Sequence, residues 1–368
     1  MFRYGRLLVL AAAPVFLLTN PLAAQKVSNP KASIVDVLAR HQFLKTTRDP
    51  RIRAAIAGLE SCLAKPLVAA PSGRIEIPHH YLNGSHGPTN PAEAAATRVY
   101  AAFESRVNAG MNQYAATGSE PEAKCALDQL DAWAHAGALL DYDAKDSTQA
   151  WFQVGWTLCA AGISESVLAQ DRTLDAAEQK RVAAWLNRAA HELIGWEKPG
   201  EPGNNLHYWR ALAATSIGVL SNDTDLFQFG ARTYKEAIGE LDANGALPRE
   251  MTRHERATHY QAFALQPLVL IAEFAARQHV DLYGYKAHDR SLRDAIVFFG
   301  RAVDTPEIVK QYTTDAQLAD FSSEDFAPFE YFVARYGSAG MPRSIVDALM
   351  KPTAAQRIGG SATVLAAK

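Results

Sequence analysis

Alternating β-branched runs are scarce in this sequence, and no strand–helix alternation or glycine-rich phosphate loop occurs. That excludes the doubly wound nucleotide-binding folds. Lysine and arginine total 37 against 39 acidic residues, a formal charge of −2, so no overall basic character points to nucleic acid. No strict repeat is present, which argues against a regular tetratricopeptide-type solenoid. The cysteines are only three, Cys62, Cys125 and Cys159, and lack zinc-site spacing. His254-Glu255 with His259 approaches a zinc-protease motif and misses it. The second histidine falls at i+5 instead of i+4, about 140° round an ideal helix from the first. Neither a metal nor a cofactor is expected.

Only one long apolar run occurs, and it stands at the N-terminus. Arg3 and Arg6 precede Leu7 to Leu18, a stretch too short to span a bilayer comfortably, and Leu22-Ala23-Ala24 looks like a signal-peptidase site. Residues 1–24 are therefore read as a signal peptide. Residues 25–368 are expected in the periplasm or secreted, with no stable membrane insertion after cleavage. Export permits a disulfide. Cys159 lies in the apolar run Trp156–Ala160, so Cys62–Cys125 is the likelier pair.

What the chain has in abundance is helical periodicity. Apolar residues recur at threes and fours in 29–63 and again, helix after helix, from Glu93 onward. Short breakers such as Gly200-Glu201-Pro202-Gly203 separate the segments. Helices of 15–20 residues with short links predict antiparallel pairs. The expected fold is all-α, an incomplete (α/α) toroid forming one domain. Residues 64–92 interrupt it with prolines and glycines around His79-His80-Tyr81-Leu82-Asn83-Gly84-Ser85-His86, a candidate lid. Residues 353–368, rich in Ala, Gly, Ser and Thr, are expected to be a flexible tail.

Two polar clusters interrupt the apolar patterning. Asn204-Asn205-Leu206-His207-Tyr208-Trp209 opens an alanine-rich helix; such a set is costly to bury without partners and suits a sugar acid. Arg253, Arg256 and Tyr260 recur at i, i+3 and i+7, one face of a helix. Arginine can hold a carboxylate in a fork, and its charge favours phenolate on a neighbouring tyrosine, which could then act as a base nearer neutral pH.

Three ordered stretches resemble the alginate lyase family that cleaves poly-β-D-mannuronate (polysaccharide lyase family 5 and close relatives). They are Cys125 to Leu139, Asn204 to Trp209, and Leu247-Pro248 through Arg253, Arg256 and Tyr260 to Leu265. The similarity spans roughly 60–275. It implies Arg253 as carboxylate neutraliser, Tyr260 as catalytic tyrosine, Asn205 as active-site asparagine and Trp209 as a subsite aromatic. It also implies His86 in a lid position often held by lysine, and a Cys62–Cys125 disulfide. One departure stands out. Where the family reads Asn-Asn-His-Ser-Tyr-Trp, this chain reads Asn-Asn-Leu-His-Tyr-Trp, so the histidine column holds Leu206. Either His207 takes the role through a local shift, or His259, His86 or His80 supplies the imidazole.

The resemblance implies β-elimination on a 4-linked polyuronate, mannuronan (alginate) or glucuronan. Arg253, Asn205 and a histidine, with His207 the first choice, would neutralise the C6 carboxylate, and Tyr260 would serve as base and then acid. Trp209, His259, His86, Arg256, Tyr81, Asn204 and Tyr208 are the expected substrate-binding residues. Two alternatives remain: a polyuronate-binding protein without turnover, or a glycoside hydrolase using Asp128 and Asp131 as its carboxylates.

Overall fold

The computed structural model describes residues 26–83, 87–198 and 203–368. The segment read as a signal peptide, and His86, lie outside the described residues.

Two short helices lead, α1 (Val37–Thr46) and α2 (Pro50–Ala57). Each is capped by an aspartate, Asp36 and Asp49, whose side chain accepts a backbone N–H of the first turn. The main body follows: α3 (Pro91–Thr117), α4 (Glu120–His135), α5 (Thr148–Leu168), α6 (Ala176–Gly195), α7 (Asn205–Leu220) and α8 (Thr224–Gly239). After a single turn, α9 (Pro248–Met251), come α10 (Ala257–Arg277) and α11 (Leu292–Asp304). Among the described residues β-pairing is limited to isolated bridges. The architecture is all-α, as the periodicity leads one to expect.

Neighbours in sequence pack as pairs, α3 on α4, α5 on α6, α7 on α8 and α10 on α11. One member of each pair also joins an inner series, in which α3 packs on α5, α5 on α7 and α7 on α10. Sequence pattern explains the division. In α5, 18 of 21 residues are buried, so it is enclosed on every side. In α6 the buried residues Val182, Trp185, Leu186, Ala189, Ala190 and Leu193 form one stripe, which marks an outer helix. Small residues set the spacing. A Cβ on Gly230 of α8 would stand 1.8 Å from Thr215 Oγ1 of α7, so only glycine permits that approach.

The C-terminal segment departs from expectation. It is not a frayed tail. After α12 (Ser323–Phe326), α13 (Phe329–Tyr336) and α14 (Arg343–Ala348), the chain turns through Gln356–Ile358 and ends in α15 (Ala362–Ala366). Ala355, Ile358, Val364, Leu365 and Ala367 are buried. Arg40 of α1 donates to the carbonyls of Val364 (2.5 Å), Ala367 (2.5 Å) and Thr363 (2.9 Å), occupying acceptors the last helix leaves open. Small residues here signal close packing, not disorder. The Gln356–Ile358 turn touches α3, α5 and α10, and so reaches the mouth of the inner helices.

Candidate active site

A cleft of about 700 Å³ opens where the inner helices α3, α5, α7 and α10 meet the loop before α3 and the Gln356–Ile358 turn. Tyr81 belongs to that loop. Its bridge to Thr89, with Leu82 N–H donating to Pro88 O (3.0 Å), ties the two arms of that loop together.

Arg253 and Tyr260 do meet, although not on one continuous helix. His254 adopts a left-handed φ of 54° and starts a 3-10 turn, and α10 begins only at Ala257. The break folds Arg253 back over the helix start. Its guanidinium carbon lies 4.0 Å from the Tyr260 ring centre, and its Nη2 donates to the Tyr260 hydroxyl at 2.7 Å. The Tyr81 hydroxyl lies 3.0 Å from the same oxygen. Burial pushes Tyr260 above the ordinary phenol value, the Tyr81 hydrogen bond adds to this, and Arg253 pulls the other way without winning. The expected shift towards phenolate is therefore reversed in the free cleft: desolvation outweighs the neighbouring cation.

The second cluster splits. Asn204, Asn205 and Leu206 line the cleft. Asn204 caps α7 by accepting Leu206 N–H at 3.0 Å. Asn205 is buried; its backbone N–H and side-chain Nδ2 each donate to a Glu250 carboxylate oxygen at 2.7 Å. Its Oδ1 has no hydrogen-bond partner. Burial pushes Glu250 up to about 7, against the hydrogen bonds from Asn205 and the charges of Arg253 and Arg249. His207 is not at the cleft. One residue is about 100° of helical rotation, which turns the imidazole to the outer side. There Nδ1 lies 2.9 Å from a Glu197 carboxylate oxygen and Nε2 lies 3.1 Å from the Thr233 hydroxyl of α8. Tyr208 and Trp209 are likewise buried behind the wall, and Trp209 packs under the cleft residue Phe263 at 5.0 Å.

His259 and Arg256 line the cleft. The His259 ring stacks on Phe321 (4.2 Å), and its Nε2 meets Asp320 at 3.2 Å while Nδ1 has no partner. Arg256 Nε likewise makes no hydrogen bond, with Glu255 4.0 Å away. Gln149 Nε2, Trp156 Nε1 and Gln266 Oε1 are also buried, unpartnered and on lining residues. Buried polar atoms are normally paired. With Asn205 Oδ1, His259 Nδ1 and Arg256 Nε, six lining residues each carry a buried polar atom without a protein partner. Asp128 and Asp131 are elsewhere, on α4, paired with Lys124 (2.6 Å) and Arg181 (2.9 Å). Neither lines the cleft, so the hydrolase alternative loses its carboxylates.

Sequence reasoning missed Arg357, because the tail was read as frayed. Its guanidinium stacks on Trp156 at 3.9 Å and lines the cleft with Arg98, Arg253 and Arg256. Burial raises the lining carboxyls Glu104 and Glu324 above their ordinary values, against the pull of the Arg357 charge. Among the described residues no group of three or more His, Cys, Asp or Glu is arranged to hold a metal ion. Cys62 and Cys125 form a disulfide that ties the loop after α2 to α4, and Cys159 is a buried thiol.

A helical toroid whose cleft sets tyrosine and asparagine among four arginines defines a polysaccharide lyase acting on an acidic polymer. The family model described as Alginate lyase matches residues 23–309, and the chain belongs to that family. It is 30% identical over 273 residues to a polysaccharide lyase of Stenotrophomonas maltophilia, covering 73% of this chain and 78% of the relative. It is 32% identical to an alginate lyase of Cobetia marina, over 46% of each chain. The crystal structure of alginate lyase A1-III from Sphingomonas species A1 superposes with a TM-score of 0.87 at 38% identity, covering 95% of this chain and 99% of that one. A tyrosine-to-phenylalanine variant of A1-III in complex with a tetrasaccharide superposes at 0.89, again at 38% identity and covering 95% and 99%. The protein is thus a polysaccharide lyase that cleaves a polyuronate by β-elimination.

Proposed function

We propose that Tyr260 is the proton carrier of this lyase and that its preferred polymer is built of mannuronate or glucuronate. The observation that supports it is the Tyr260 hydroxyl, held between Arg253 Nη2 (2.7 Å) and the Tyr81 hydroxyl (3.0 Å) beside Asn205 in the cleft. Once Tyr260 has lost its proton, Arg253 and Tyr81 both donate to its oxyanion. The phenolate takes the C5 proton, and the electron pair left at C5 forms the C4–C5 double bond as the C4–O4 bond breaks. The same hydroxyl then returns the proton to O4. Arg253, Asn205 and a histidine neutralise the C6 carboxylate as charge builds on it. His259, which lines the cleft and has an unpartnered Nδ1, suits that role better than His207, which does not.

The mannuronate or glucuronate preference follows from using one proton carrier. In both sugars the C5 hydrogen and O4 lie on the same ring face, so one residue serves both steps. In guluronate they are opposed and a second base is needed. Leu206 offers no base at the cleft wall. Leu206 and the cleft histidines further support a shift from plain mannuronan towards glucuronan or mixed polymers. The test is to incubate the protein with pure mannuronan, guluronan, glucuronan and hyaluronan and follow absorbance of the unsaturated product. Turnover of guluronan above the others would overturn the single-carrier reading, and turnover of mannuronan far above glucuronan would overturn the shifted preference. The N-terminal sequence pattern and the Cys62–Cys125 disulfide support work outside the cytoplasm, in the periplasm or beyond the cell.

A further inference from the structure

Glu250 does not line the cleft, yet it holds both nitrogens of a residue that does. Its carboxylate accepts from Asn205 N and Asn205 Nδ2, each at 2.7 Å. The arrangement has a chemical consequence. An amide has a donor end and an acceptor end. With Nδ2 committed to Glu250, the end left without a partner is the carbonyl Oδ1. A carbonyl oxygen repels a uronate carboxylate, and repels it more as charge develops during C5 deprotonation. A protonated Glu250 reverses the choice. One oxygen still accepts from the Asn205 backbone, while the O–H donates to Oδ1 of a flipped amide. The Nδ2 protons then become the free end of the amide, on a residue that lines the cleft.

We infer that Glu250 is a positioning residue whose proton decides which end of the Asn205 amide meets the substrate carboxylate. The protonated form is the one competent for turnover. The inference rests on the proposed role of Asn205 as a carboxylate neutraliser. Glu250 is 1% exposed, and its proton exchanges with solvent through local opening. The charged and titratable groups facing it are Arg253 and Arg249 on its own segment and Tyr208 on α7. Burial wins over these cations and brings the Glu250 equilibrium to about 7, so both amide orientations are populated near neutrality.

Glu250→Gln separates this role from a merely structural one. Glutamine accepts from Asn205 N with its oxygen and donates to Asn205 Oδ1 with its nitrogen, a permanent copy of the protonated state. The quantity to measure is the ratio of variant to wild-type kcat on mannuronan or glucuronan between pH 5 and 9. Ionisation of Tyr260 is common to both proteins and cancels. The ratio should be flat on the acid side and rise about tenfold per pH unit above about 7.5, the slope of one proton. A ratio independent of pH, one that falls with pH, or a folded variant without turnover would overturn the inference. Should Glu250→Gln not fold, Asn205→Ala carries the same test. Its low residual kcat, divided by that of the wild type, should also rise above neutrality, and a constant ratio would sink the idea. Wild type inactive at every pH on every polyuronate would instead strike at the proposed function.

Discussion

Arg253 Nη2 lies 2.7 Å from the Tyr260 hydroxyl across a helix break, with the guanidinium stacked over the same ring. Both contacts exist because His254 bends the chain through a left-handed φ. Replacing Tyr260 by phenylalanine removes the oxygen and keeps the stacked ring. A proton carrier contributes about 10²- to 10⁴-fold, so kcat should fall by at least the lower figure. Saccharide affinity, measured by calorimetry, should change little. A variant that keeps a tenth of its turnover would remove Tyr260 from the chemistry.

His207 offers a contrast, since the structure makes it part of the scaffold. It joins Glu197 and Thr233, while Arg210 also meets Glu197. His207→Ala should lower stability by about 1–2 kcal/mol, the scale of a lost hydrogen-bonded pair. Turnover should stay within about threefold of wild type at a temperature where the variant is folded. Loss of turnover with an unchanged melting curve would return the imidazole to the mechanism.

Arg357 makes the C-terminal segment functional. Its cation stacks on Trp156 in the cleft. Arg357→Ala should raise KM on the order of 10- to 100-fold, as loss of a charge-assisted contact of about 1.5–3 kcal/mol implies. Steady-state kinetics on a short polyuronate would show it. An unchanged KM would mean that the bound chain does not reach this end of the cleft.

Glu165 of α5 is fully buried, and both carboxylate oxygens lack partners. Burial, and then the charge of Asp131, raise it well above the ordinary carboxyl value. The folded protein therefore keeps a proton that the unfolded chain releases above about 4.3. Its contribution to stability is fully present below that pH and is lost as pH rises towards the folded value, by about 1.4 kcal/mol per unit. Glu165→Met removes the linkage. Its melting temperature should gain on wild type progressively between pH 5 and 8; a pH-independent difference would exclude a titrating Glu165.

Much of the site was readable because its spacing is local. Arg253 and Tyr260 are seven residues apart, and Asn204-Asn205 opens a helix that caps itself, so the sequence marks those groups as neighbours, although the His254 break makes the Arg253–Tyr260 contact. Asn205's partner Glu250 is 45 positions away and was not readable, because no local pattern links a helix start to a turn between helices. His207 went astray for a rotational reason. Adjacent residues on α7 face about 100° apart, and only packing against α8 shows which of Leu206 and His207 looks inward.

The sequence by itself determined the helical class, the order of the helices and the reaction family, since each follows from periodicity or from short motifs. The tertiary structure decided the rest. It sent His207, Tyr208 and Trp209 behind the wall, drew Arg357 in from the far end of the chain, and half-buried Tyr260 so that desolvation outweighs its arginine. Each of those outcomes depends on which distant elements exclude water around a side chain. Burial of that kind is a property of the assembled helices, not of any one segment.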